Sequence, residues 1–350
     1  MRTAFGGNVF GMRGVLSAIA FGLLCQAAIA SPVIGVSWPG DTARQWKVDS
    51  ETIRSAVSAA SGAVIETDAR LSAAKQILDV KSLIDAHVDV LVVAAVDPRA
   101  LETSIQMAVA AGIPVIGYDR PIGLDGVFSI GFNQADVGRL QALALYAARP
   151  RGDWVLLKGD FDDPQTARLY AGQIAVLKDS ISAGLIRIAG EAYTPGGLSL
   201  NARRAFGNIL DATRNSVDAV LTPDDASAGE AISVLEERGL VEKVAVVGQG
   251  GDPETLNRIA RGQQTATIWE DHEALARKTA DVALLLAYGH SPRELGVARP
   301  LDDGQGTTYE LHLQPFTITV DALDLALTAG WIDADRLCRD VPAGRIADCP

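Results

Sequence analysis

Short runs of apolar residues alternate with amphipathic stretches along almost the whole chain after residue 31. The apolar runs are rich in Val and Ile and end at Gly, Pro or polar residues, as at 33–37, 88–95 and 127–132. The stretches between them repeat apolar residues at helical spacing, as at 45–60 and 273–288. Such runs are typical of buried strands, and their alternation with helices predicts parallel sheets with helices on both faces.

The strand–helix series occurs twice, and the two copies meet near residues 132–137. Two strand-like pieces at 307–320, broken by Pro315, indicate that the chain crosses this boundary again late in the sequence. The fold class that we predict is α/β, with two Rossmann-like lobes of parallel sheet joined by a multi-strand hinge. The expected N-terminal lobe comprises residues 31–132 plus about 271–312, the C-terminal lobe residues 133–270 plus about 313–335, and the tail residues 336–350.

Polar residues stand where two neighbouring apolar runs end. Asp119 and Arg120 follow the run at 113–117, and Asn133 follows the run at 127–132. In open α/β sheets ligands bind outside the carboxyl ends of the strands. An acceptor pair beside a rigid fork of donors suits vicinal hydroxyl groups, although a surface ion pair explains the Asp–Arg dipeptide equally well.

The N-terminus has the features of a secretory signal peptide. Arg2 and Arg13 precede or flank a short apolar segment at 15–24, and Ala-Ile-Ala at 28–30 precedes Ser31. A basic region, a short apolar region and small residues before the cleavage site predict export, with cleavage after Ala30. The apolar segment is too short for a confident membrane span. Cys25 leaves lipidation open, but Leu24 stands where a lipoprotein signal needs a small residue.

The charge balance excludes two classes of partner. The 350 residues include 31 basic and 43 acidic side chains, which gives a net charge of −12. Such a balance argues against binding to a nucleic-acid backbone and against an anionic membrane surface. The length exceeds one comfortable hydrophobic core, in agreement with two lobes.

Cysteine and histidine are too sparse for a metal site. Cys338 and Cys349 lie in a tail that contains Pro and Gly, and in an oxidising compartment they would form one small disulfide; two free thiols are the alternative. The four histidines are scattered along the chain. We therefore expect no metal and no cofactor.

No constellation of residues indicates an enzyme. The sequence contains no nucleophile elbow and no phosphate-binding P-loop. Asp224 and Asp225 could be the carboxylate pair of a glycoside hydrolase, but adjacent residues rarely straddle a substrate. The N-terminus of a helix, which favours acidic side chains, explains the pair equally well.

An ordered series of motifs resembles one family of binding proteins. The matching pieces are IGVSW…RQWKVD (34–49), VDVLVVAAVDPRAL (88–101), AGIPVIGYDR (111–120), ARLYAGQIAVLK (167–178), VDAVLTPDDASAGEAISVLEERGL (217–240), VAVVGQGGD (244–252) and ARGQQTATIW (260–269). The chain resembles the periplasmic sugar-binding proteins of ABC importers, with the type I fold, and most closely their xylose-binding branch. The resemblance implies a periplasmic monomer that closes over a monosaccharide or polyol and delivers it to an inner-membrane ABC permease. A sensor that presents its closed form to a histidine kinase or chemoreceptor is the alternative.

The resemblance also assigns binding residues, with several departures. Asp119 and Arg120 match the family's sugar-binding pair, Trp46 matches an aromatic of the first helix, and Tyr193 stands where the family has a stacking Trp. Trp46 could instead simply cover the sheet. The complete set of expected ligand-binding residues is Arg44, Trp46, Asp119, Arg120, Asn133, Gln165, Tyr193, Asp224, Asp225, Gln249 and Glu270.

Some of these positions differ from the xylose-binding pattern. Asp224 and Asp225 replace Asn-Asp, Gly250 replaces an Asp, and Glu270 replaces a Lys. Arg44 stands one place earlier than the family's Arg, and Gln165 belongs to a segment that is Asn-rich in the family. We therefore expect a pocket retuned from xylose towards another sugar, a polyol or an amino-bearing solute.

Overall fold

A computed structural model describes residues 1, 3, 31–40, 44–301, 306–347 and 349. The chain divides into two compact units, Met1–Ser31 and Pro32–Pro350. Almost all of the predicted signal peptide lies outside the described residues, as does the side chain of Arg44. Among the helices that are described, none combines the length and the apolar character needed to cross a membrane.

The unit from Pro32 onwards alternates strands and helices, as the apolar pattern predicts. The strands are β1 (Val33–Trp38), β2 (Ala63–Asp68), β3 (Val90–Val93), β4 (Val115–Tyr118), β5 (Phe128–Phe132), β6 (Gly152–Lys158), β7 (Ile186–Tyr193), β8 (Ala219–Leu221), β9 (Ala245–Gly250), β10 (Ala266–Trp269), β11 (Val297–Pro300), β12 (Thr307–Leu313) and β13 (Phe316–Ile318). The helices are α1 (Arg44–Ala59), α2 (Ala73–Asp85), α3 (Glu102–Ala110), α4 (Gln134–Ala148), α5 (Pro164–Ser182), α6 (Ser199–Ala212), α7 (Asp225–Glu237), α8 (Pro253–Ala260), α9 (His272–Ala287), α10 (Pro292–Leu295), α11 (Leu323–Thr328) and α12 (Ala334–Leu337).

These strands form two mostly parallel sheets. Within the described ranges the first sheet has the order β11-β12-β5-β4-β3-β1-β2 and the second has the order β13-β10-β9-β8-β6-β7. Each sheet has one antiparallel neighbour at its edge, β11 on β12 and β13 on β10. No helix separates β11 from β12 in the described part of the chain, and a parallel pair would need a long crossover. The two-lobe α/β class is confirmed, with mixed rather than purely parallel sheets.

In the described part of the chain, three segments connect the two sheets. Helix α4 follows β5 of the first sheet and packs against β8, β9, β10 and β13 of the second. Helix α9 follows β10 and packs back against α1, β1, β3 and β5. Only residues 314–315 separate β12 from β13. Several short connections of this kind let two rigid lobes rotate while few backbone torsions change. The lobe boundaries given above stay a prediction.

The central strands of each sheet are buried on both faces, which explains the continuous apolar runs. In β3, Val90 and Val92 belong to one core while Leu91 and Val93 belong to the core on the opposite face. Strand β6 behaves in the same way, since Val155 and Leu157 face one core and Trp154 and Leu156 the other. Successive strand residues point to opposite faces, so a strand covered by helices on both sides must be apolar throughout.

Helices α4 and α5 cross at two glycines. A Cβ atom built on Gly138 would lie 2.0 Å from the carbonyl oxygen of Leu169, and one on Gly172 would lie 2.0 Å from the carbonyl oxygen of Ala135. Backbone therefore meets backbone at this crossing. The arrangement fixes α4, whose first residues adjoin the connection from β5.

The C-terminal tail packs against the second sheet and its helix α8. A disulfide joins Cys338 to Cys349, the pair expected from the sequence, with their Cα atoms 5.2 Å apart. Leu337 and Ile346 share an apolar cluster with Leu256 of α8 and Trp269 of β10. The tail is thus part of the core of this lobe.

Candidate functional site

The predicted binding residues follow the carboxyl ends of strands in both sheets. Asp119 follows β4 and Asn133 follows β5 in the first sheet; Asp224 follows β8 and Glu270 follows β10 in the second. Gln249 lies at the end of β9. This is the edge at which α/β sheets bind ligands.

Asp119 has an unusual backbone conformation. Its φ is 62°, and its amide donates to the carbonyl of Ile130 at 2.8 Å. The next amide, of Arg120, donates to the carbonyl of Tyr118 at 2.6 Å, which makes a tight turn. A left-handed conformation at a residue other than Gly costs free energy and is concentrated at functional sites.

Arg120 is anchored to the neighbouring strand connection. Its Nη1 donates to the carbonyl of Ala95 at 2.8 Å, and the side chain is half-buried. The guanidinium therefore donates to a backbone carbonyl just after β3. This contact is not the Asp–Arg ion pair that the sequence analysis gave as the alternative. Its remaining N–H groups keep the capacity to donate to a ligand.

Trp46 belongs to a cluster of three aromatic side chains. Its ring centroid lies 5.9 Å from that of Trp38 and 6.3 Å from that of Tyr118, and Trp38 and Tyr118 are 5.7 Å apart in an edge-to-face arrangement. Trp46 is half-buried, whereas Tyr118 is fully buried. Trp46 packs against the core of the first sheet, and its role in ligand binding stays a prediction.

A buried polar group that the sequence analysis missed lies beneath these aromatics. Asp49 is fully buried, and burial raises its pKa to about 8; the Tyr118 hydroxyl lowers this pKa and the charge of Asp119 raises it. His272 Nδ1 is 4.0 Å from Asp49 Oδ2 and 2.9 Å from Gln45 Nε2. Burial lowers the pKa of His272. At neutral pH the Asp49 carboxyl is therefore largely protonated and the imidazole is uncharged.

Asp224 and Asp225 hold the second lobe's backbone in place. Asp224 caps α7 by accepting from the amide of Ser227 at 2.6 Å. Asp225 is buried and accepts from the Gly251 amide at 2.7 Å, from Gln264 Nε2 at 2.8 Å and from Thr267 Oγ1 at 2.7 Å. Burial raises the pKa of Asp225 to about 6, against the lowering effect of Thr267. This geometry favours a supporting role for Asp225, which shapes the turn after β9.

Glu270 lies in the connection between β10 and α9. It is 8% exposed, and its Oε1 accepts one hydrogen bond, from Gln134 Nε2 at 3.1 Å. Burial, with contributions from the charges of Asp119 and Asp225, raises its pKa to about 8, while the hydrogen bond from Gln134 acts against this rise. Asp119 follows a strand of the first sheet and Asp225 begins the helix after β8 of the second, so charges from both lobes act on Glu270. Its bond to Gln134 links two of the three inter-lobe connections described above.

The remaining predicted residues lie in the first turn of a helix, at a helix cap or on the exposed surface. Gln165 is half-buried in the first turn of α5, and Asn133 caps α4 by accepting from the Ala135 amide at 3.0 Å. Tyr193 is 41% exposed, and its ring is 5.2 Å from that of Phe161, which is 72% exposed. Lys158 Nζ lies 4.3 Å from the centroid of the Tyr193 ring. The prediction for Arg44 lies outside the described side chains.

Phe161 was not expected from the sequence because a lone Phe in a polar loop carries no periodic signal. Asp49, by contrast, could have been found. It falls on the helix face shared by Trp46, Ile53 and Val57, at helical spacing.

In the described ranges, no group of three or more His, Cys, Asp or Glu side chains is placed to hold a metal ion.

Comparisons with known proteins give the family. A family model described as a periplasmic binding protein domain matches residues 34–291. The chain is 34% identical over 250 residues to the D-xylose-binding periplasmic protein of Escherichia coli (strain K12), covering 71% of this chain and 76% of that protein. It is 33% identical over 254 residues to the D-xylose-binding periplasmic protein of Haemophilus influenzae, covering 72% and 76%.

A solved structure shares the fold. The carbohydrate transporter solute binding protein from Chloroflexus aurantiacus, in complex with D-glucose, superposes with a TM-score of 0.78 at 23% identity, over 88% of this chain and 98% of that chain. The relatives are named as binding proteins. Both the sequence match and the two-lobe architecture lead to one conclusion: the chain belongs to the periplasmic binding proteins of the type I fold.

Proposed function

We propose that this protein captures a monosaccharide or related polyol between its two lobes in the periplasm and delivers it to an ABC import permease. The observation that carries the proposal is the placement of polar groups at the carboxyl ends of both sheets. Asp119 follows β4 of the first sheet and Glu270 follows β10 of the second, and the charge of Asp119 raises the pKa of Glu270, so the two carboxyl groups are close enough to interact. The D-xylose-binding relatives and the D-glucose complex support a carbohydrate ligand.

Ligand capture by this fold follows from its connections. Bonds from both lobes to one solute form only when the lobes are closed, so the ligand shifts the open–closed population by its differential affinity for the two states. Aromatic rings such as Trp46 and Tyr193 suit the apolar face of a sugar ring, while Asp119 and Arg120 suit its hydroxyl groups. The closed surface is what a permease would recognise. No observation favours the alternative role as a sensor.

Export is part of the same proposal. We infer cleavage after Ala30, which leaves a monomer that begins at Ser31 and carries the Cys338–Cys349 disulfide. The mass of the protein purified from the periplasm of an expressing cell checks the cleavage site. A mass that includes a lipid on Cys25 would contradict it.

The test of function is calorimetric titration of the mature protein with pentoses, hexoses and cyclic polyols. We expect micromolar or tighter binding of at least one class and a ligand-dependent rise in melting temperature. Asp119→Asn should weaken that binding strongly, because the amide loses one acceptor and the charge, while the melting temperature without ligand stays nearly unchanged. If no carbohydrate binds, the proposal is wrong; if Asp119→Asn melts much earlier without ligand, Asp119 is a structural residue.

A further inference from the structure

Four arginine side chains line one cavity between helix α8 and the C-terminal tail. The cavity has a volume of about 250 Å³, and its lining includes Glu254, Asn257, Arg258, Arg261, Arg336 and Arg339. We call it the arginine cavity. The whole chain has 31 basic and 43 acidic side chains, so four cations beside one carboxylate run against its overall charge.

Two of these arginines come from α8 and two from the tail. Arg258 and Arg261 are three positions apart at the end of α8, and Arg336 and Arg339 are three positions apart in and just after α12. Residues three positions apart lie on the same side of a helix. Each of the two segments therefore presents a pair of cations to the same cavity.

The backbone of the tail is fixed against α8 at this place. Asn257 Nδ2 donates to the carbonyl of Leu337 at 2.9 Å and to the carbonyl of Arg339 at 2.7 Å. Cys338, which lies between these two residues, forms the disulfide with Cys349. The arginine cavity is thus built before a ligand arrives, and a preorganised site loses little conformational entropy on binding.

Most of the positive charge in the lining has no matching negative charge. Among the described side chains of the lining, one ion pair forms, between Arg336 Nη2 and Glu254 Oε1 at 2.6 Å. Arg258 donates to uncharged oxygen atoms. Within the described ranges Arg261 and Arg339 form no ion pair, and the Nε atom of Arg261 is buried without a hydrogen-bond partner. A buried donor of this kind needs an acceptor.

We propose that the arginine cavity binds a small oxyanion with at least two negative charges, of the class of phosphate or a short dicarboxylate. A guanidinium presents its N–H groups in a planar fork that matches two oxygen atoms of a phosphate or carboxylate group. Cations gathered around one cavity repel one another, and an anion between them offsets that repulsion. The volume is several times the roughly 30 Å³ share of a water molecule, which suits a small molecule.

This site is separate from the proposed sugar site. Arg336 and Arg339 lie in the tail, beyond the residues 34–291 that match the family model. The sugar-binding residues predicted above stand mostly at strand ends, and none of those that the structure describes is in the lining of the arginine cavity. We therefore expect the anion to bind in the absence of sugar.

The experiment is calorimetric titration of the mature, disulfide-bonded protein without sugar and at constant ionic strength. The anions are inorganic phosphate, sulfate, succinate and chloride. We expect a divalent oxyanion to saturate one site with a Kd on the order of 1 mM or below, and chloride to give no saturable signal. Saturation by phosphate and sulfate identifies a tetrahedral oxyanion, and saturation by succinate identifies a dicarboxylate. A signal that never saturates and is equal for all four salts is ionic screening alone and would overturn the proposal.

Single substitutions test whether the anion binds at these arginines. Arg261→Gln and Arg339→Gln each remove one cation from the cavity and should each weaken binding about tenfold or more, because hydrogen bonds to charged groups are among the strongest. Arg339 is exposed, so Arg339→Gln should leave the melting temperature without anion unchanged. Arg293→Gln, which removes the same charge from an exposed side chain of α10, should retain full affinity.

Unchanged affinity in both cavity variants would place the anion elsewhere and refute the proposal. The sugar titrations described above are made without these anions, so their outcome decides the proposed function separately.

Discussion

Replacing Gly138 by Ala tests whether the α4–α5 crossing is as close as the structure shows. The new Cβ atom would lie 2.0 Å from the carbonyl oxygen of Leu169 and 2.9 Å from its carbonyl carbon. Nonbonded heavy atoms prefer separations of about 3.5 Å, so the helices must part by roughly 1 to 1.5 Å. The obstructing atoms are backbone atoms of a second helix, which cannot rotate aside as a side chain can.

The magnitude follows from two opposing terms. Ala stabilises a helix interior relative to Gly by about 0.5–1 kcal/mol, because Gly loses more backbone entropy on folding. Overpacking of a close-packed contact costs about 1–3 kcal/mol and sometimes more. Since the clash is with backbone, we expect the upper end of that range and a net loss of about 2 kcal/mol in the free energy of unfolding.

Gly207 in α6 provides the matched control. A Cβ built there would meet only the Arg238 Nη2 atom, at 3.9 Å, which is an ordinary contact. The same Gly→Ala change should therefore stabilise the protein by about 0.5–1 kcal/mol. Opposite signs for two chemically identical substitutions would isolate the effect of the crossing.

The assay is unfolding of the ligand-free mature protein in urea, followed by far-ultraviolet circular dichroism. Gly172→Ala should behave as Gly138→Ala does, and the double variant should lose less than the sum, because helices that have already parted admit the second methyl group more easily. Ligand affinity should fall too, since α4 begins at Gln134, the hydrogen-bond partner of Glu270. A Gly138→Ala protein as stable as the unmodified one would refute the close crossing.

Three further outcomes follow from other contacts. Burial raises the folded-state pKa of Glu270 to about 8, above its unfolded value near 4.3, so the free energy of unfolding without ligand should fall as pH rises from about 5 to 8. In urea titrations Glu270→Gln should make this dependence on pH less steep, and an unchanged dependence would contradict the raised pKa of Glu270. Replacing both Cys338 and Cys349 by Ser should lower the free energy of unfolding by about 3 kcal/mol, because the disulfide closes a loop with a sequence separation of 11. The unmodified protein with its disulfide reduced should unfold at the same urea concentration as this double variant. Trp331→Phe removes the Nε1 donor to the Gly251 carbonyl and should weaken ligand binding several-fold with about 1 kcal/mol of stability lost; unchanged affinity would show that Trp331 does not position the turn after β9.

The apolar pattern was sufficient for most of the fold because the central strands of each sheet are covered on both faces. Strand β3 and residues 154–157 of β6 have no polar position to obscure them, and the two-lobe class is confirmed. Strand β11, with the sequence Val-Ala-Arg-Pro, was missed because its four residues are all exposed at a sheet edge. The antiparallel direction of β13 was missed as well, because it depends on the two-residue connection from β12 rather than on residue type.

Residue types at strand ends predicted where a site should form but not which atoms would be free to use it. Asp225 and Asn133 have the chemistry of ligand residues, yet the structure engages Asp225 with Gly251, Gln264 and Thr267 and engages Asn133 as a helix cap. Whether a polar side chain has spare hydrogen-bonding capacity depends on neighbours from distant parts of the chain, which no local pattern encodes.

The charge expected from the sequence and the charge that the structure supports differ most in the cleft. Counting side chains makes Asp49, Asp119, Asp225 and Glu270 four negative charges, which one solute could hardly balance. In the structure, burial and the charge of Asp119 raise the pKa values of Asp49 and Glu270 to about 8, so that both are largely neutral at pH 7. A count of formal charges therefore overstates the negative charge of this region, because the burial that suppresses ionisation is a property of the fold and not of the residue type.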